Sequence, residues 1–476
     1  MVQRFQSSLS TCLDELRQRG RLLGPRWLLV LSFVALAALL AIASGYFIAQ
    51  GRTTLLFLTL LVLPGIVTAR WPFFGLLLVL MLVPLEEFTV MGGGSTLIRF
   101  YGVPVAGAWL ASIILQRREV YKPPGFTLLV ALVLWDAMSL TWTVDPWNTA
   151  QRLVTEIQLV VLYLMCVDLV RSKKEAHALI VLFISTALLG AVVALQRLSD
   201  PNSTRISLTD PTGSGANQFA HLMALSAAMS IAGAIHLRNR LRWISFVASM
   251  AFVLALFVSL SKSAIVALAA AVVSLAVFGR GKVITGATRQ RLLWYTAILL
   301  VAGWFVTLHF HLLPDYMLHR LSLEFVIESE GSGRLDYWRV GLQMVKDRPL
   351  TGVGLDSYPR VYLDYALRTP NVFRKLYAGL DAHSDYLRRL TELGIPGFLL
   401  FGGFLYTVFC TAIRASKLSS VDRFLWSTSF GMLVVILVSS FSTTYQWRKR
   451  YWIVLALVAV VHRLATDKDP SSQPKD

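Results

Sequence analysis

The feature that most constrains this chain is a series of long apolar runs separated by short polar connections. Two examples are WLLVLSFVALAALLAIASGYFIA at 27–49 and TAILLVAGWFVTLHF at 296–310. A helix needs about 20 predominantly apolar residues to cross the hydrocarbon core of a bilayer. The runs are continuous, whereas a membrane β-strand would alternate with a period of two. The sequence therefore predicts an all-α polytopic membrane protein with about 12–14 transmembrane helices.

Composition excludes two other classes of protein. The chain is 55% hydrophobic and only 15% charged, whereas a soluble domain carries about 25% charged residues. The net charge of +18 would suit nucleic acid, but the apolar runs argue against a nucleic-acid-packaging protein, and no nucleic-acid partner is expected. The three cysteines are scattered without metal-ligand spacing, so neither a disulfide framework nor a thiolate metal site is predicted.

The basic residues predict the orientation of the helices. Every second connection is rich in Lys and Arg, which is typical of cytoplasmic loops: 116–122, 171–175, 236–242, 279–282 and 414–417. This alternation predicts five regions. They are a cytoplasmic segment at 1–26, transmembrane helices at 27–312, a large outer loop at 313–390, C-terminal transmembrane helices at 391–463 and a cytoplasmic tail at 464–476.

The outer loop is predicted to fold. Trp338, Leu342 and Val345 recur at i, i+4 and i+7, a spacing that favours a short amphipathic helix. Gly352 and Gly354 in GVGLDSY lack the strand, helix and GKS/T ending of a phosphate-binding loop. We therefore expect a folded cap in which these glycines form tight turns.

Four segments carry a family resemblance when taken in chain order. They are GSGANQFAHLMALSAA at 213–228, SLSKSAIVALAAA at 259–271, GSGRLDYWRVGLQMVKDRPLTGVGLDSYP at 331–359 and DAHSDYLRRLTELGIPGFLLF at 381–401. Together they resemble the O-antigen ligase and polymerase superfamily of bacterial envelope proteins. The resemblance covers residues 210–445; the N-terminal third matches mainly in hydropathy.

The resemblance implies a C-type glycosyltransferase-like fold in the bacterial inner membrane, with the large loop and the active site facing the periplasm. It implies a metal-independent enzyme without a cofactor, which moves a glycan from an undecaprenyl-pyrophosphate carrier to an acceptor hydroxyl among membrane lipids. Transfer to lipid A–core, the ligase reaction, is favoured. O-antigen or exopolysaccharide polymerisation and protein O-glycosylation stay open as alternatives. A transporter or flippase is disfavoured because the polar residues gather at one membrane face.

The resemblance also implies two catalytic residues. His383 matches the loop histidine of the family, and histidine is the natural general base near neutral pH. Arg334 matches the loop arginine, and guanidinium groups clamp phosphate oxygens in a bidentate manner. An ordinary structural histidine and a solvated arginine are the competing interpretations.

Five further residues are predicted to bind substrate at the outer face. Lys262 stands where the family usually has arginine, so it keeps the charge and loses the planar fork. Asn217 matches an asparagine of the family and is predicted to bind a sugar hydroxyl; the alternative is that it only caps its helix. The other three are arginines at predicted helix ends: Arg99, Arg448 and Arg450. The alternative for Arg99 is a side chain that extends to the membrane interface without binding substrate. The alternative for Arg448 and Arg450 is that the neighbouring span is wrongly assigned.

Overall fold

The computed structural model describes residues 65, 67–89, 96–196, 215–279, 283–309, 334–370, 372 and 379–467. The chain divides into two compact units, Met1–Gly75 and Leu76–Asp476. In the first unit the described residues are 65 and 67–75, and all of them except Trp71 are helical. The predicted cytoplasmic segment 1–26, the apolar run 27–49 and most of the predicted tail 464–476 lie outside the described residues.

The described part of the second unit is built from α-helices and contains no β-strand. Short 3-10 helices follow α1 and α3, at Val83–Thr89 and Ser139–Thr141. In chain order the α-helices are α1 Pro72–Leu82, which begins in the first unit, α2 Leu97–Gln116, α3 Phe126–Met138, α4 Pro146–Leu169, α5 Lys173–Gln196, α6 Ala216–His236, α7 Asn239–Val258, α8 Lys262–Phe278, α9 Gly286–His309, α10 Arg334–Asp347, α11 Tyr358–Ala366, α12 Asp385–Lys417, α13 Arg423–Ser439 and α14 Lys449–Thr466.

Several of these helices have the length and apolar composition of membrane-spanning helices. Four described helices are long and apolar enough to span a bilayer, within α5, α6, α7 and α12, and five shorter helices are strongly apolar. The predicted all-α polytopic membrane protein is confirmed. The number of 12–14 transmembrane helices and the five predicted regions stay predictions.

Three helices form the centre of the bundle. Most residues of α6, α13 and α14 are buried, whereas one face of α7 is exposed and apolar, with Trp243 and Val247 outward. Small residues on α6 allow close approach of its neighbours, as where Gly233 faces Ser245 of α7. This packing brings the starts of α6, α8 and α14 and the end of α13 to one end of the bundle.

The segment between α9 and α12 contains a folded cap. Helices α10 and α11 pack through a buried cluster that includes Tyr337, Met344, Tyr358 and Tyr362. Burial raises the pKa of the Tyr358 phenol well above its ordinary value, and the hydroxyl donates to the Tyr337 carbonyl at 2.7 Å. The described part of the loop therefore has its own core.

A glycine-rich turn fixes the cap to the start of α12. The Val353 and Gly354 amides donate to the carbonyls of Thr391 and Glu392 at 3.0 and 2.8 Å. Gly352 and Gly394 have φ angles of +67°, and a Cβ on either would collide with backbone atoms of the other segment. Only glycine tolerates both conditions. Gly394 also breaks α12 into two helical parts, close to residue 391, where the C-terminal transmembrane helices are predicted to begin.

Candidate active site

The first element of the site is a buried histidine on α6. His221 is fully buried, and its ring nitrogens lie 2.8 Å from Ser439 Oγ and 3.2 Å from Thr443 Oγ1. Ser263 Oγ at the start of α8 lies 3.5 Å away, and the Tyr445 ring packs edge-on at 5.7 Å. Four segments of the chain therefore meet at this ring, which we call the His221 cluster.

Two cations flank the His221 cluster without a carboxylate partner. Arg450 is 6% exposed and lies over the Tyr445 ring at 5.0 Å, and its Nε has no hydrogen-bond partner in the part of the chain that the structure describes. Arg334 opens α10, and burial lowers the pKa of its guanidinium group. The charges of both arginines act on His221. Among the described residues neither forms an ion pair, so the buried charge of Arg450 and the half-buried charge of Arg334 favour an anionic ligand.

Two more predicted binding residues lie beside the His221 cluster. Asn217 is in the first turn of α6, one helical turn before His221 and on the same face. Lys262 is the first residue of α8 and directly precedes Ser263. The structure thus gathers four predicted residues from four helices around one buried ring: Asn217, Lys262, Arg334 and Arg450.

The predicted base, His383, reaches this region through the cap. Its half-buried ring lies 5.1 Å from the Tyr337 ring, and Tyr337 is one turn after Arg334 on α10. His383 has a φ angle of +48°, in the left-handed region that non-glycine residues seldom adopt. Leu260 beside Lys262 has a φ angle of +59°. Backbone strain of this kind is characteristic of functional sites.

Asp385 connects the His383 loop to the loop before α14. Its buried carboxylate accepts hydrogen bonds from Ser440 Oγ at 2.6 Å and from the amides of Tyr445 and Gln446 at 2.8 and 3.0 Å. The Asp385 amide donates to the Ser440 carbonyl at 2.9 Å. Asp385 therefore positions the loop that leads to Arg450 relative to the loop that carries His383.

Two adjacent arginines on α12 anchor the cap to the membrane helices. Arg389 is fully buried, and its guanidinium group donates to Asp136 at 3.0 Å, to Glu156 and to Gln446 at 2.5 Å. Arg388 pairs with three carboxylates: Asp381 at 2.8 Å, Glu392 at 3.0 Å, and Asp356. Asp356 also pairs with Arg152 of α4 at 2.9 Å.

Arg99 and Arg448 lie in a different place. Both line a cavity of about 670 Å³ between α2, α4 and the start of α14. The Arg99 guanidinium donates to Thr155 Oγ1 at 2.6 Å and contacts Gln158 Oε1 at 3.4 Å. Arg450 is absent from the cavity lining and belongs to the His221 cluster. The seven predicted residues thus separate into a group near His221 and His383 and a pair in the cavity.

Comparison with known families agrees with the sequence motifs. Residues 247–402, which contain Lys262, Arg334 and His383, match the family model described as O-Antigen ligase. The resemblance to the O-antigen ligase and polymerase superfamily is confirmed. The match supports glycosyltransferase activity of the ligase and polymerase type in general terms. No curated protein matches the chain.

Sequence reasoning missed the ion-pair network and the cavity. Asp136 inside the apolar run LVLWDAMSL was the available signal, because an acidic residue within a predicted span needs a buried partner. The partner is Arg389, 253 positions away. His221 is also a polar residue within an apolar segment, and its buried ring contacts three hydroxyl groups.

Proposed function

We propose that this protein transfers a glycan from an undecaprenyl-pyrophosphate carrier to an acceptor hydroxyl at the periplasmic face of the bacterial inner membrane. The observation that carries the proposal is the pair of arginines, the half-buried Arg334 and the buried Arg450, that flank His221 without a carboxylate partner among the described residues. A pyrophosphate supplies the negative charge that two such cations require.

The distribution of charge supports a periplasmic site. The end of the bundle opposite the His221 cluster carries the basic helix ends, including Arg118 after α2, Lys173 of α5, Arg242 of α7 and Lys417 of α12. Short loops rich in Lys and Arg stay on the cytoplasmic side. The His221 cluster and the cap therefore belong to the other side.

The chemistry follows from the residues at hand. The acceptor hydroxyl oxygen attacks the anomeric carbon of the donor, and the bond from that carbon to the pyrophosphate oxygen breaks. His383 takes the hydroxyl proton as general base. Undecaprenyl pyrophosphate leaves with the electron pair of the broken bond, and Arg334 and Arg450 stabilise its charge electrostatically. Lys262 adds a third positive charge, and Asn217 offers an amide to a sugar hydroxyl or a phosphate oxygen.

The test is glycan transfer by the purified full-length protein in lipid nanodiscs, with an undecaprenyl-pyrophosphate-linked glycan as donor and core-only lipopolysaccharide as acceptor. A general base contributes about 10²–10⁴-fold, so His383→Ala and His383→Gln should each lose at least about 10²-fold in rate. The wild-type rate should rise with pH around the ordinary histidine value of about 6.5, and EDTA should not change it.

Arg339→Gln is the matched control, because Arg339 lies on α10 with Arg334 but is exposed and pairs with Asp336 of its own helix at 3.2 Å. It should transfer at the wild-type rate. A near-wild-type rate in His383→Gln would refute the base assignment. The acceptor class is separated by gene deletion and glycan gels. Loss of all long chains from lipid A–core indicates a ligase, a single repeat unit on lipid A–core indicates a polymerase, and unchanged lipopolysaccharide without exopolysaccharide indicates a capsule pathway.

A further inference from the structure

The cavity between α2, α4 and the start of α14 has a cationic rim and an apolar floor. Four cationic residues and one acidic residue, Glu86, line it. The cations are Arg99, Arg152, Arg448 and Lys449, and Lys449 pairs with Glu86. Thr155 and Gln158 complete the polar end, whereas Leu110, Leu162 and Met165 are among the residues that line the rest. A lipid with an anionic headgroup has this distribution of charge and apolar surface.

The rim contains polar atoms without partners. Arg152 Nε and Trp447 Nε1 are buried and donate no hydrogen bond to any of the described residues. The hydrogen-bond partners of Arg99 are two neutral side chains, Thr155 and Gln158. The two buried donors, Arg152 Nε and Trp447 Nε1, cost free energy unless a ligand or water satisfies them. Phosphate oxygens would accept hydrogen bonds from all three groups.

The cavity is one leaflet deep and opens on an apolar surface. From Arg99 to Leu110 the helix α2 advances by about 16 Å, roughly half of the 30 Å hydrocarbon core. Val103, Leu110 and Ile157 line the cavity and are also exposed. An acyl or prenyl chain could therefore enter sideways from the bilayer.

Small residues on α2 create the space. Gly102, Ala106 and Gly107 line the cavity at helical spacing, and a Cβ built on Gly102 or Gly107 would meet nothing within 4 Å. A Cβ at either position therefore projects into open space on the cavity side of α2. These glycines are therefore suitable sites for a blocking substitution.

The rim is linked to the catalytic loop by a chain of ion pairs. Arg152 pairs with Asp356 at 2.9 Å, Asp356 pairs with Arg388, and Arg388 pairs with Asp381 at 2.8 Å, two residues before His383. The Trp447 ring lies between Arg152 and Arg389, at 4.8 and 5.0 Å from their guanidinium carbons. The cavity therefore approaches the His383 loop separately from Arg334 and Arg450.

We propose that this cavity binds the acceptor as a membrane glycolipid with phosphate on its headgroup, a second lipid besides the donor carrier at Arg334 and Arg450. The inference rests on the proposed function, since it assigns the second substrate of that reaction. It places the acceptor headgroup at Arg99 and Arg152 and its chain along the small residues of α2.

Native mass spectrometry of the full-length protein in detergent tests the assignment with two probes, diphosphoryl lipid A and undecaprenyl pyrophosphate. Gly107→Leu should reduce retained lipid A at least tenfold and leave undecaprenyl pyrophosphate unchanged. Arg99→Gln should also reduce retained lipid A and leave undecaprenyl pyrophosphate unchanged, because it removes a positive charge from the polar end of the cavity. Gly402→Leu is the matched control, because Gly402 of α12 also meets nothing within 4 Å and does not line the cavity; it should retain both lipids.

In the transfer assay Gly107→Leu should raise KM for core-only lipopolysaccharide at least tenfold and keep KM for the donor. Loss of undecaprenyl pyrophosphate from Gly107→Leu would overturn the proposal, because the cavity would then hold the carrier. Unchanged binding of both lipids would overturn it as well. If the wild type transfers no glycan to any acceptor, the proposed function fails, whereas the lipid A result still decides the binding site.

Discussion

Replacing Arg389 with methionine tests the ion-pair network that fixes the cap. The wild-type guanidinium group compensates two fully buried carboxylates, Asp136 and Glu156, and donates to Gln446. Arg389→Met keeps an unbranched apolar stem and leaves both carboxylates buried without a cation. Removing one side of a buried ion pair costs about 3–5 kcal/mol, because the remaining charge stays uncompensated.

This cost converts into a measurable shift. A large domain changes its unfolding temperature by about 2 °C per kcal/mol, so Arg389→Met should unfold about 6–10 °C below the wild type. Tryptophan fluorescence during heating of the detergent-solubilised protein gives the midpoint directly. Arg339→Met on the exposed face of α10 is the control and should shift the midpoint by less than about 1 °C.

A rescue variant separates charge from packing. Neutralising the carboxylates in Asp136→Asn/Glu156→Gln/Arg389→Met removes the uncompensated charge, so the triple variant should recover more than half of the loss. An unfolding temperature of Arg389→Met within 2 °C of the wild type would refute the reasoning. A triple variant less stable than the single one would show instead that packing of the arginine stem dominates.

Three further predictions concern sidedness, the phosphate contact and the cap turn. In a cysteine-free background, Leu367→Cys should react with an impermeant maleimide in intact spheroplasts and Leu241→Cys should not, since these exposed residues lie at opposite ends; labelling of Leu241→Cys alone would reverse the orientation. Arg334→Lys should lose most transfer activity because lysine cannot bind phosphate in a bidentate manner, whereas Lys262→Arg should stay active. Full activity of Arg334→Lys would show that Arg334 contributes only its positive charge and no bidentate contact with phosphate. Gly394→Ala should lower the unfolding temperature by at least 2 °C, since its φ angle of +67° and the contact with the Leu350 carbonyl exclude a Cβ; an unchanged midpoint would contradict that account.

The sequence was sufficient where local chemistry decides the structure. Apolar runs of about 20 residues predict helices because backbone groups in lipid must be satisfied within the segment, and the described helices follow those runs. The C-terminal transmembrane helices are predicted to begin at 391, close to Gly394, where α12 is interrupted. The predicted site residues were assigned to the outer side of the membrane, because the short loops rich in Lys and Arg belong to the cytoplasmic side.

Tertiary packing decides what the sequence left open. Arg448 and Arg450 are two positions apart and looked equivalent as a basic cluster, yet Arg448 lines the cavity and Arg450 packs on Tyr445. The direction in which the chain enters α14 determines this difference. His221 lies at the centre of the candidate site because α8 and the end of α13 pack against α6. These contacts join distant parts of the chain, so the local sequence pattern does not predict them.

The sequence separation within the Arg389 network has a consequence for biosynthesis. Asp136 and Glu156 precede Arg389 by 253 and 233 residues. At a synthesis rate of about 5–20 residues per second, the ribosome needs about 12–50 s to reach the arginine after these carboxylates have emerged. During that interval α3 and α4 hold two acidic groups without their counter-ion, so both helices must wait where water still reaches them. Final insertion of this pair therefore depends on the arrival of α12, and a nascent chain truncated before residue 389 should remain accessible to protease around Asp136.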